Sequence, residues 1–278
     1  MSYKIVGDSC TDPTPEMLAD SHFAFVPLTL HVGDLTVIDD DTFDQAAYLQ
    51  AVRECPTCPT TACPSPELYK RAYDEADWTF VVTLSSHLSG SYNSAMVAKS
   101  IYEEEHGTGK KIYVVDSESA CCGQTQIALK LKELCEEGLP FEEIVSRINA
   151  YRDSLKTYFV LETLDHLRKN GRLTGIKAIL ASALNIKPVM SATKGVIIQL
   201  GQDRGMKRSL QKMVKMALEG REDTENRRLM ITHVNAKARA EAVRDLILSR
   251  KKFLECIIVD ARGVATNYAA DGGIVVTF

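Results

Sequence analysis

Three loops in the sequence carry hydroxyl side chains directly after apolar runs that predict strands. The first loop holds Ser9 and Thr11, the second holds Ser85, Ser86 and Ser89, and the third holds Ser117 and Ser119. Hydroxyl groups donate hydrogen bonds to an anionic oxygen, and a helix that begins beside Gly90 favours the same charge through its free N–H groups and its dipole. The pattern therefore predicts a site for a ligand that carries an anionic oxygen.

Two other interpretations of these hydroxyl groups are open. Serine and threonine commonly cap helices, which is the favoured role for Ser9 and Ser117. A nucleophilic serine needs a base held in place beside it, but His87 lies only two residues from Ser85 and from Ser89, and neither a G-x-S-x-G nor a phosphate-binding loop motif occurs. We therefore expect a binding protein with no catalytic residue. A small-molecule hydrolase or phosphotransferase at the same serine-rich site is the alternative.

Cys55, Cys58 and Cys63 form the densest group of metal-ligating or redox-active side chains. Zinc would need a fourth ligand, and a redox C-x-x-C motif normally follows a strand and opens a helix, which this proline-rich loop does not. The acidic run at residues 39–41 is compatible with a divalent ion, but a solvated turn is the favoured interpretation. We expect neither a metal ion nor a cofactor.

The hydroxyl loops need a scaffold that brings them together. Strands are predicted at residues 4–7, 23–30, 79–84 and 112–116, and helices at 13–20, 42–53, 66–75, 91–105, 124–137 and 141–152. Alternating strands and helices predict a parallel, doubly wound sheet of the Rossmann type with flanking helices. Ligands bind beyond the carboxyl ends of the strands in such sheets, where all three loops would lie.

The pattern changes after residue 155. Helices are predicted at residues 158–167, 176–184, 206–218 and 236–252, and strands at 187–191, 195–199, 228–233, 256–259 and 273–277. This mixture, in a chain of 278 residues, predicts an α/β fold of two domains. We place an N-terminal α/β domain at residues 1–155 and a C-terminal α/β domain at residues 156–278.

Composition narrows the class of protein. The net charge of −4 argues against nucleic-acid binding, and the short basic runs at 207–208, 227–228 and 250–252 are expected to be solvated surface. No apolar run of 18 residues and no signal-peptide pattern occurs, so we expect a cytoplasmic protein without stable membrane insertion. The eight cysteines are then expected to be reduced, with Cys121 and Cys122 serving as packing residues.

An ordered set of motifs resembles the DegV family over almost the whole chain. The set comprises DSCTD at residues 8–12, TACPSP at 61–66, LSSHLSGSYNSA at 84–95, VDS at 115–117 and LDHLRKNGRL at 164–173. The resemblance implies a protein that holds a long-chain fatty acid between two domains. It also implies a partner, a fatty acid kinase of the dihydroxyacetone kinase type, which uses ATP to form an acyl phosphate for phospholipid synthesis.

The same resemblance implies roles for single residues. Thr61 and Ser89 resemble the hydroxyl groups that hold the carboxylate, Gly90 the residue that offers a backbone N–H, and Ser86 a weaker ligand. Arg204 is similar to a family arginine that serves the encounter with the kinase.

Three departures from the family pattern stand beside these matches. Ala62 and Cys63 replace a Ser-Gln pair, Met206 stands at a position that is often basic, and Asn267 stands where a histidine would lie near the carboxylate. The departures bear on the kinase partnership more than on lipid binding.

The acyl tail accounts for most of the expected affinity. Burial of a dozen methylenes at about 0.8 kcal/mol each contributes about 10 kcal/mol before the cost of association. Apolar residues at helical spacing in 176–184 are candidates for the wall of the slot, namely Ile176, Ile179, Leu180 and Leu184. The length and saturation of the tail and the oligomeric state stay open at this stage.

Overall fold

The computed structural model of the chain describes residues 1–173 and 185–278. In chain order its strands are β1 (Tyr3–Asp8), β2 (Phe23–Val26), β3 (Thr29–Val32), β4 (Leu35–Ile38), β5 (Thr60–Ala62), β6 (Trp78–Thr83), β7 (Lys111–Asp116), β8 (Thr157–Val160), β9 (Ile186–Thr193), β10 (Val196–Arg204), β11 (Arg228–His233), β12 (Glu255–Asp260) and β13 (Ile274–Thr277). Its helices are α1 (Pro15–Ala19), α2 (Gln45–Glu54), α3 (Pro66–Ala72), α4 (Ser91–His106), α5 (Cys122–Glu136), α6 (Phe141–Ser154), α7 (Asp165–Lys169), α8 (Met206–Leu218), α9 (Lys237–Leu248) and α10 (Gly263–Ala269).

The first sheet is parallel and has helices on both faces, as the sequence predicts. Its strand order is β2-β1-β6-β7. Side chains alternate along each strand, so Ile5 and Phe80 pack against α5 and α6, whereas Val6 and Val81 pack against α3 and α4. Both faces are buried, which explains why these strands are nearly continuous apolar runs.

The second sheet has six strands in the order β10-β9-β8-β13-β11-β12. Only β11 and β12 pair in parallel, and the other neighbours are antiparallel. One face is covered by α8 and α9, while the other face, which carries Phe159 and Val275, is turned towards the loops of the first sheet. The fold class is confirmed, and the boundary between residues 155 and 156 stays a prediction.

Helix α5 lies between the two sheets and bonds to the first hydroxyl loop on one side and to the second sheet on the other. Thr125 Oγ1 donates to the carbonyl oxygen of Asp12, at 2.8 Å. Gln126 Nε2 donates to the carbonyl oxygens of Arg228, at 2.8 Å, and Thr277, at 3.2 Å. A third, antiparallel sheet of order β4-β3-β5 packs beside the first and carries Thr61 in β5.

Two element predictions were wrong. The predicted strand at 23–30 divides at Pro27, which has no N–H to donate, so β2 joins the first sheet and β3 joins the third. The predicted helix at 158–167 is instead strand β8 followed by the short helix α7, because a short apolar run has no period that separates helix from strand. Helix α10 and strands β4 and β5 were not predicted.

Two further expectations concern residues 176–184 and membrane-spanning helices. The helix predicted at 176–184, with its candidates for the wall of the slot, lies outside the described residues. Within the described ranges, no helix is both long enough and apolar enough to cross a membrane.

Candidate functional site

The three hydroxyl loops meet at the carboxyl edge of the first sheet, around the buried carboxylate of Asp8. Asp8 Oδ1 accepts from the backbone N–H of Cys10, at 3.1 Å, and from Gln124 Nε2, at 2.9 Å. Asp8 Oδ2 accepts from the N–H of Leu84, at 2.7 Å, and from Ser91 Oγ, at 2.5 Å. Burial raises the pKa of Asp8, and these hydrogen bonds partly offset that rise. Asp8 thus ties the first two loops to the starts of α4 and α5.

Most hydroxyl groups in these loops bond to the protein itself. Ser9 Oγ accepts from the N–H of Leu28, at 3.0 Å, and Ser117 Oγ donates to the carbonyl oxygen of Ser119, at 3.1 Å. Ser85 Oγ donates to the carbonyl oxygen of Gly195, at 3.1 Å. Ser9 and Ser117 therefore have a structural role, but they join loop segments and do not cap helices as the sequence predicts.

The arrangement around His87 does not suit nucleophilic catalysis. The contact of His87 with Ser85 runs from its backbone N–H to the serine Oγ, at 3.3 Å. Across residues 1–173 and 185–278, no hydrogen bond joins an imidazole ring to a serine hydroxyl. A serine activated by a histidine is therefore not formed here.

An apolar cavity lies beyond these loops, between them and the inner face of the second sheet. All the space between its walls, counting the open space at its mouth, amounts to about 720 Å³. Its wall includes Leu84, Leu88, Phe159, Leu161, Val264 and Val275. Such a space suits a long hydrocarbon chain.

Helix α10 forms part of this wall and begins on a buried carboxylate. Asp39 Oδ1 accepts from the N–H of Gly263, at 2.7 Å, and Asp39 Oδ2 accepts from the N–H of Val264, at 2.9 Å. Asp39 is 1% exposed, so the solvated turn expected at residues 39–41 is wrong for its first residue. The carboxylate is buried because it satisfies the first N–H groups of the helix.

A second buried carboxylate holds the residue that precedes α10. Asp12 Oδ1 accepts from the N–H of Arg262, and Asp12 Oδ2 accepts from Thr232 Oγ1, each at 2.8 Å. Burial raises the pKa of Asp12 to about 7, against the lowering effect of these hydrogen bonds. Asp12 therefore links the first hydroxyl loop to β11 and to the start of α10.

The polar side chains of the cavity wall include a tyrosine and an arginine. The Tyr268 hydroxyl oxygen lies 2.9 Å from Thr61 Oγ1, and the guanidinium carbon of Arg172 lies 5.8 Å from the centre of the Tyr268 ring. Arg172 Nε donates to the carbonyl oxygen of Leu88, at 3.1 Å. Both Tyr268 and Arg172 line the void. A cation, a phenol and a hydroxyl group thus meet beside apolar space.

Ser89 and Gly90 lie against the segment that follows Thr61. A Cβ atom added to Gly90 would lie 3.1 Å from Cys63 Sγ, so the two segments are in contact. Ser89 Oγ accepts from the N–H of Ser91 at the start of α4, at 3.2 Å. The exposed Ser86 instead donates its backbone N–H to Asp116 Oδ1, at 3.1 Å, at the end of β7.

Asn267 is buried beside this group, with 1% of its surface exposed. Its Oδ1 accepts from the Tyr48 hydroxyl, at 2.7 Å, and its carbonyl oxygen accepts from His166 Nδ1, at 2.5 Å. Its Nδ2 has no acceptor among the described residues, and Asn267 is not among those that line the void. An unpaired buried amide group calls for an acceptor.

Arg204 lies apart from these residues. It is the last residue of β10, is exposed, and donates its backbone N–H to Asp203 Oδ1, at 2.7 Å. Sequence reasoning missed Tyr268 and Arg172, although Tyr268 follows Asn267 and Arg172 lies in the quoted motif at 164–173.

The cysteines do not form a metal centre. Within the described part of the chain, no group of three or more His, Cys, Asp or Glu side chains is placed to hold a metal ion. Cys55 Sγ lies 3.1 Å from Thr57 Oγ1, and Cys58 Sγ lies 3.6 Å from the carbonyl oxygen of Pro59. Cys121 lines the cavity, where its hydrogen bond with Cys10 and its burial raise the pKa of its thiol. A neutral thiol packs as a small apolar group.

Comparison with known proteins places the chain among its relatives. The family model described as "Uncharacterised protein, DegV family" matches residues 2–277. The chain belongs to the DegV family. A DegV domain-containing protein of Streptococcus pneumoniae is 34% identical over 287 residues, covering 100% of this chain and 99% of the relative.

Solved structures of DegV proteins have the same fold. A DegV family protein from Ruminococcus gnavus, described with vaccenic acid, superposes with a TM-score of 0.97 at 46% identity, covering 100% of both chains. The Fatty Acid Kinase (Fak) B3 protein of S. pneumoniae, loaded with linoleic acid, superposes with a TM-score of 0.89 at 33% identity, covering 100% of this chain and 99% of the other. Both of these DegV proteins are described with a fatty acid.

Proposed function

We propose that this DegV protein binds one long-chain fatty acid, with the tail in the apolar cavity and the carboxylate near Thr61. The observation that carries the proposal is an apolar void with Tyr268 and Arg172 in its wall, next to a hydroxyl group. Relatives with this fold are described with vaccenic and linoleic acid, which have the matching chemistry of a long chain and one acid group.

The balance of free energies favours this placement of the ligand. Each methylene moved from water into the void contributes about 0.8 kcal/mol, so the tail supplies most of the affinity. A carboxylate taken out of water needs partners, because an unpaired charge is costly to bury. Arg172 adds a positive charge to the hydroxyl groups that the sequence singles out, and this favours the ionised acid.

The proposed contacts of the head group use the residues carried over from the family. Thr61 and Ser89 offer hydroxyl groups, and Gly90 offers a backbone N–H that no described residue accepts from. Asn267 Nδ2 has no acceptor among the described residues. It offers an N–H to the carboxylate, either directly or through a water molecule. Ser86 is a weaker ligand, since it is exposed and its backbone is held by Asp116 at the end of β7.

We further propose that the protein presents the acid to a separate fatty acid kinase of the dihydroxyacetone kinase type and is itself not an enzyme. The relative described as a Fatty Acid Kinase (Fak) B3 protein supports a kinase partner. Arg204 is exposed at the end of β10 and is the residue assigned to the encounter.

The test is to extract purified protein with solvent, identify the lipid by mass spectrometry, and measure binding of the identified acid to stripped protein. Thr61→Ala is expected to weaken binding about three- to tenfold, since it removes one hydrogen bond of the head group. Thr60→Ala is the matched control, because Thr60 is the exposed neighbour in β5. Absence of any co-purified fatty acid, together with no binding of any long-chain fatty acid tested, saturated or unsaturated, would contradict the proposal.

A further inference from the structure

Two hydroxyl groups bond to each other in the wall of the cavity. Ser119 Oγ lies 2.7 Å from Thr157 Oγ1. Both residues line the void and are nearly buried, with 6% and 8% of their surfaces exposed. The wall is mostly apolar, and the pair adds a polar spot to it that the binding of a plain hydrocarbon chain does not explain.

The surroundings fix the position of the pair. The backbone N–H of Ser119 donates to Ser117 Oγ, at 3.1 Å, and its carbonyl oxygen accepts from the N–H of Ser85, at 3.0 Å. The carbonyl oxygen of Thr157 accepts from Ser191 Oγ, at 2.7 Å. A Cβ atom on Gly123 would lie 2.0 Å from Ser119 Oγ, so this position must be glycine for the serine to approach.

A count of protons shows that the pair is incomplete. Two hydroxyl groups carry two protons, and their mutual hydrogen bond uses one of them. In the ranges that the structure describes, neither Ser119 Oγ nor Thr157 Oγ1 makes a second hydrogen bond. The second proton therefore has no protein acceptor there, and both residues line the space that the ligand fills.

The charge and position of the pair favour a neutral oxygen rather than the carboxylate. Glu118, the neighbour of Ser119, is an acidic residue of the same wall, which disfavours an anion here. Thr157 lies at the start of β8, whereas Arg172 follows α7 beyond the end of that strand. Thr157 and Leu161 lie on one face, roughly 13 Å apart at the rise of an extended strand. An oxygen that meets the pair therefore belongs on the acyl chain.

We propose that Ser119 and Thr157 form a subsite for an oxygen atom on the acyl chain, so that hydroxy fatty acids are ligands of this cavity. The inference rests on the proposed fatty acid binding and names the class of acid. A chain hydroxyl accepts the unpaired proton and donates its own to a hydroxyl oxygen of the pair, which completes the hydrogen bonds of all three groups.

The experiment compares octadecanoic acid with positional isomers of hydroxyoctadecanoic acid on stripped full-length protein. A hydroxyl group buried without a partner weakens binding by about tenfold or more. We expect at least one isomer to bind within about threefold of octadecanoic acid, or more tightly, because the subsite removes that penalty. In Thr157→Val the same isomer is expected to bind about tenfold more weakly relative to octadecanoic acid.

Three further variants make the comparison specific. Thr157→Ser keeps the hydroxyl and is expected to bind the hydroxylated isomer, relative to octadecanoic acid, as well as the wild-type protein does. Ser119→Ala is expected to lose this relative affinity for the isomer. Thr79→Val removes a buried threonine hydroxyl in β6 that makes no bond in the described part and does not line the void, so it is the matched control. Ser119→Ala provides the test if Thr157→Val does not fold.

The outcomes separate the two proposals. If octadecanoic acid binds but every hydroxylated isomer binds about tenfold more weakly to the wild-type protein, the inference is overturned and fatty acid binding stands. The inference is also overturned if Thr157→Val and Ser119→Ala both bind the hydroxylated isomer, relative to octadecanoic acid, as well as the wild-type protein does. Failure of both plain and hydroxylated acids to bind overturns the proposed function as well.

Discussion

The phenol oxygen of Tyr268 lies 2.9 Å from the hydroxyl oxygen of Thr61, and this contact joins the cavity-lining helix α10 to the three-stranded sheet. The two residues are 207 positions apart in the chain. One partner belongs to the motif that predicts the ligand head group, and the other belongs to a helix that the sequence did not predict. Thr61 is therefore held in place by the wall of the cavity itself.

Tyr268→Phe is expected to weaken binding of a long-chain fatty acid about three- to tenfold while leaving the melting temperature nearly unchanged, because it removes one hydrogen bond and keeps the ring. Calorimetric titration of stripped protein measures the change. Tyr3→Phe is the control, since the Tyr3 hydroxyl is buried without a partner among the described residues and lies outside the cavity. Equal affinities for the fatty acid in the wild-type protein and both variants would show that Tyr268 does not contribute to binding.

Arg172→Leu is expected to weaken binding of the acid more than binding of the matching alcohol, because only the acid loses an opposite charge. We expect the ratio of the two affinities to fall about tenfold, as for a hydrogen bond to a charged group. Arg168→Leu is the matched control, since Arg168 is exposed and pairs with Asp165 on the surface. An unchanged acid-to-alcohol ratio in Arg172→Leu would contradict the assignment.

Asp12 makes the stability of the protein depend on pH. Its pKa is about 7 in the folded protein and 3.8 as the ordinary value, so the folded state holds a proton that the unfolded state releases. The stability that this proton contributes is complete below the ordinary pKa and is lost as pH rises towards 7, with a slope of at most about 1.4 kcal/mol per pH unit.

The measurement is the free energy of unfolding in urea at several pH values between the two pKa values. Asp12→Asn is expected to remove part of the downward slope, whereas Asp34→Asn, at an exposed position, is expected to leave it intact. Identical slopes for the wild-type protein and Asp12→Asn would show that Asp12 does not keep its proton in the folded state.

Gly123→Ala is expected to destabilise the protein by roughly 1–3 kcal/mol, because the new methyl group displaces Ser119 from its place beside Thr157. Gly109→Ala is the matched control, since nothing lies within 4 Å of a Cβ atom added there. Thermal unfolding of both variants measures the difference. Similar melting temperatures would mean that the loop of Ser119 moves aside without cost.

The first sheet and the placement of its loops could be predicted because their signals are local. Strand and helix periods, and the loop of residues 85–90, are read within a few neighbouring residues. Strand β8 escaped prediction because its four residues have no period, and their partners in β9 and β13 lie far along the chain.

Only some of the polar residues of the site could be predicted from the sequence. Thr61, Ser89 and Gly90 lie in motifs, and the structure places their segments in contact through Cys63. Tyr268 and Asp39 act through partners more than 200 residues away, and no local pattern marks such contacts. A run of three aspartates predicts solvent exposure, whereas the first of them satisfies the N–H groups of α10.

The position of helix α5 between the sheets bears on how the proposed ligand would reach the cavity. Its side chains Thr125 and Gln126 donate to backbone oxygens on both sides, so parting the sheets would leave several buried groups unpaired at once. Exchange of the lipid is then cheaper through a local shift of one wall than through a hinge between the halves. For the same reason the two sheets should melt in a single cooperative transition rather than one after the other.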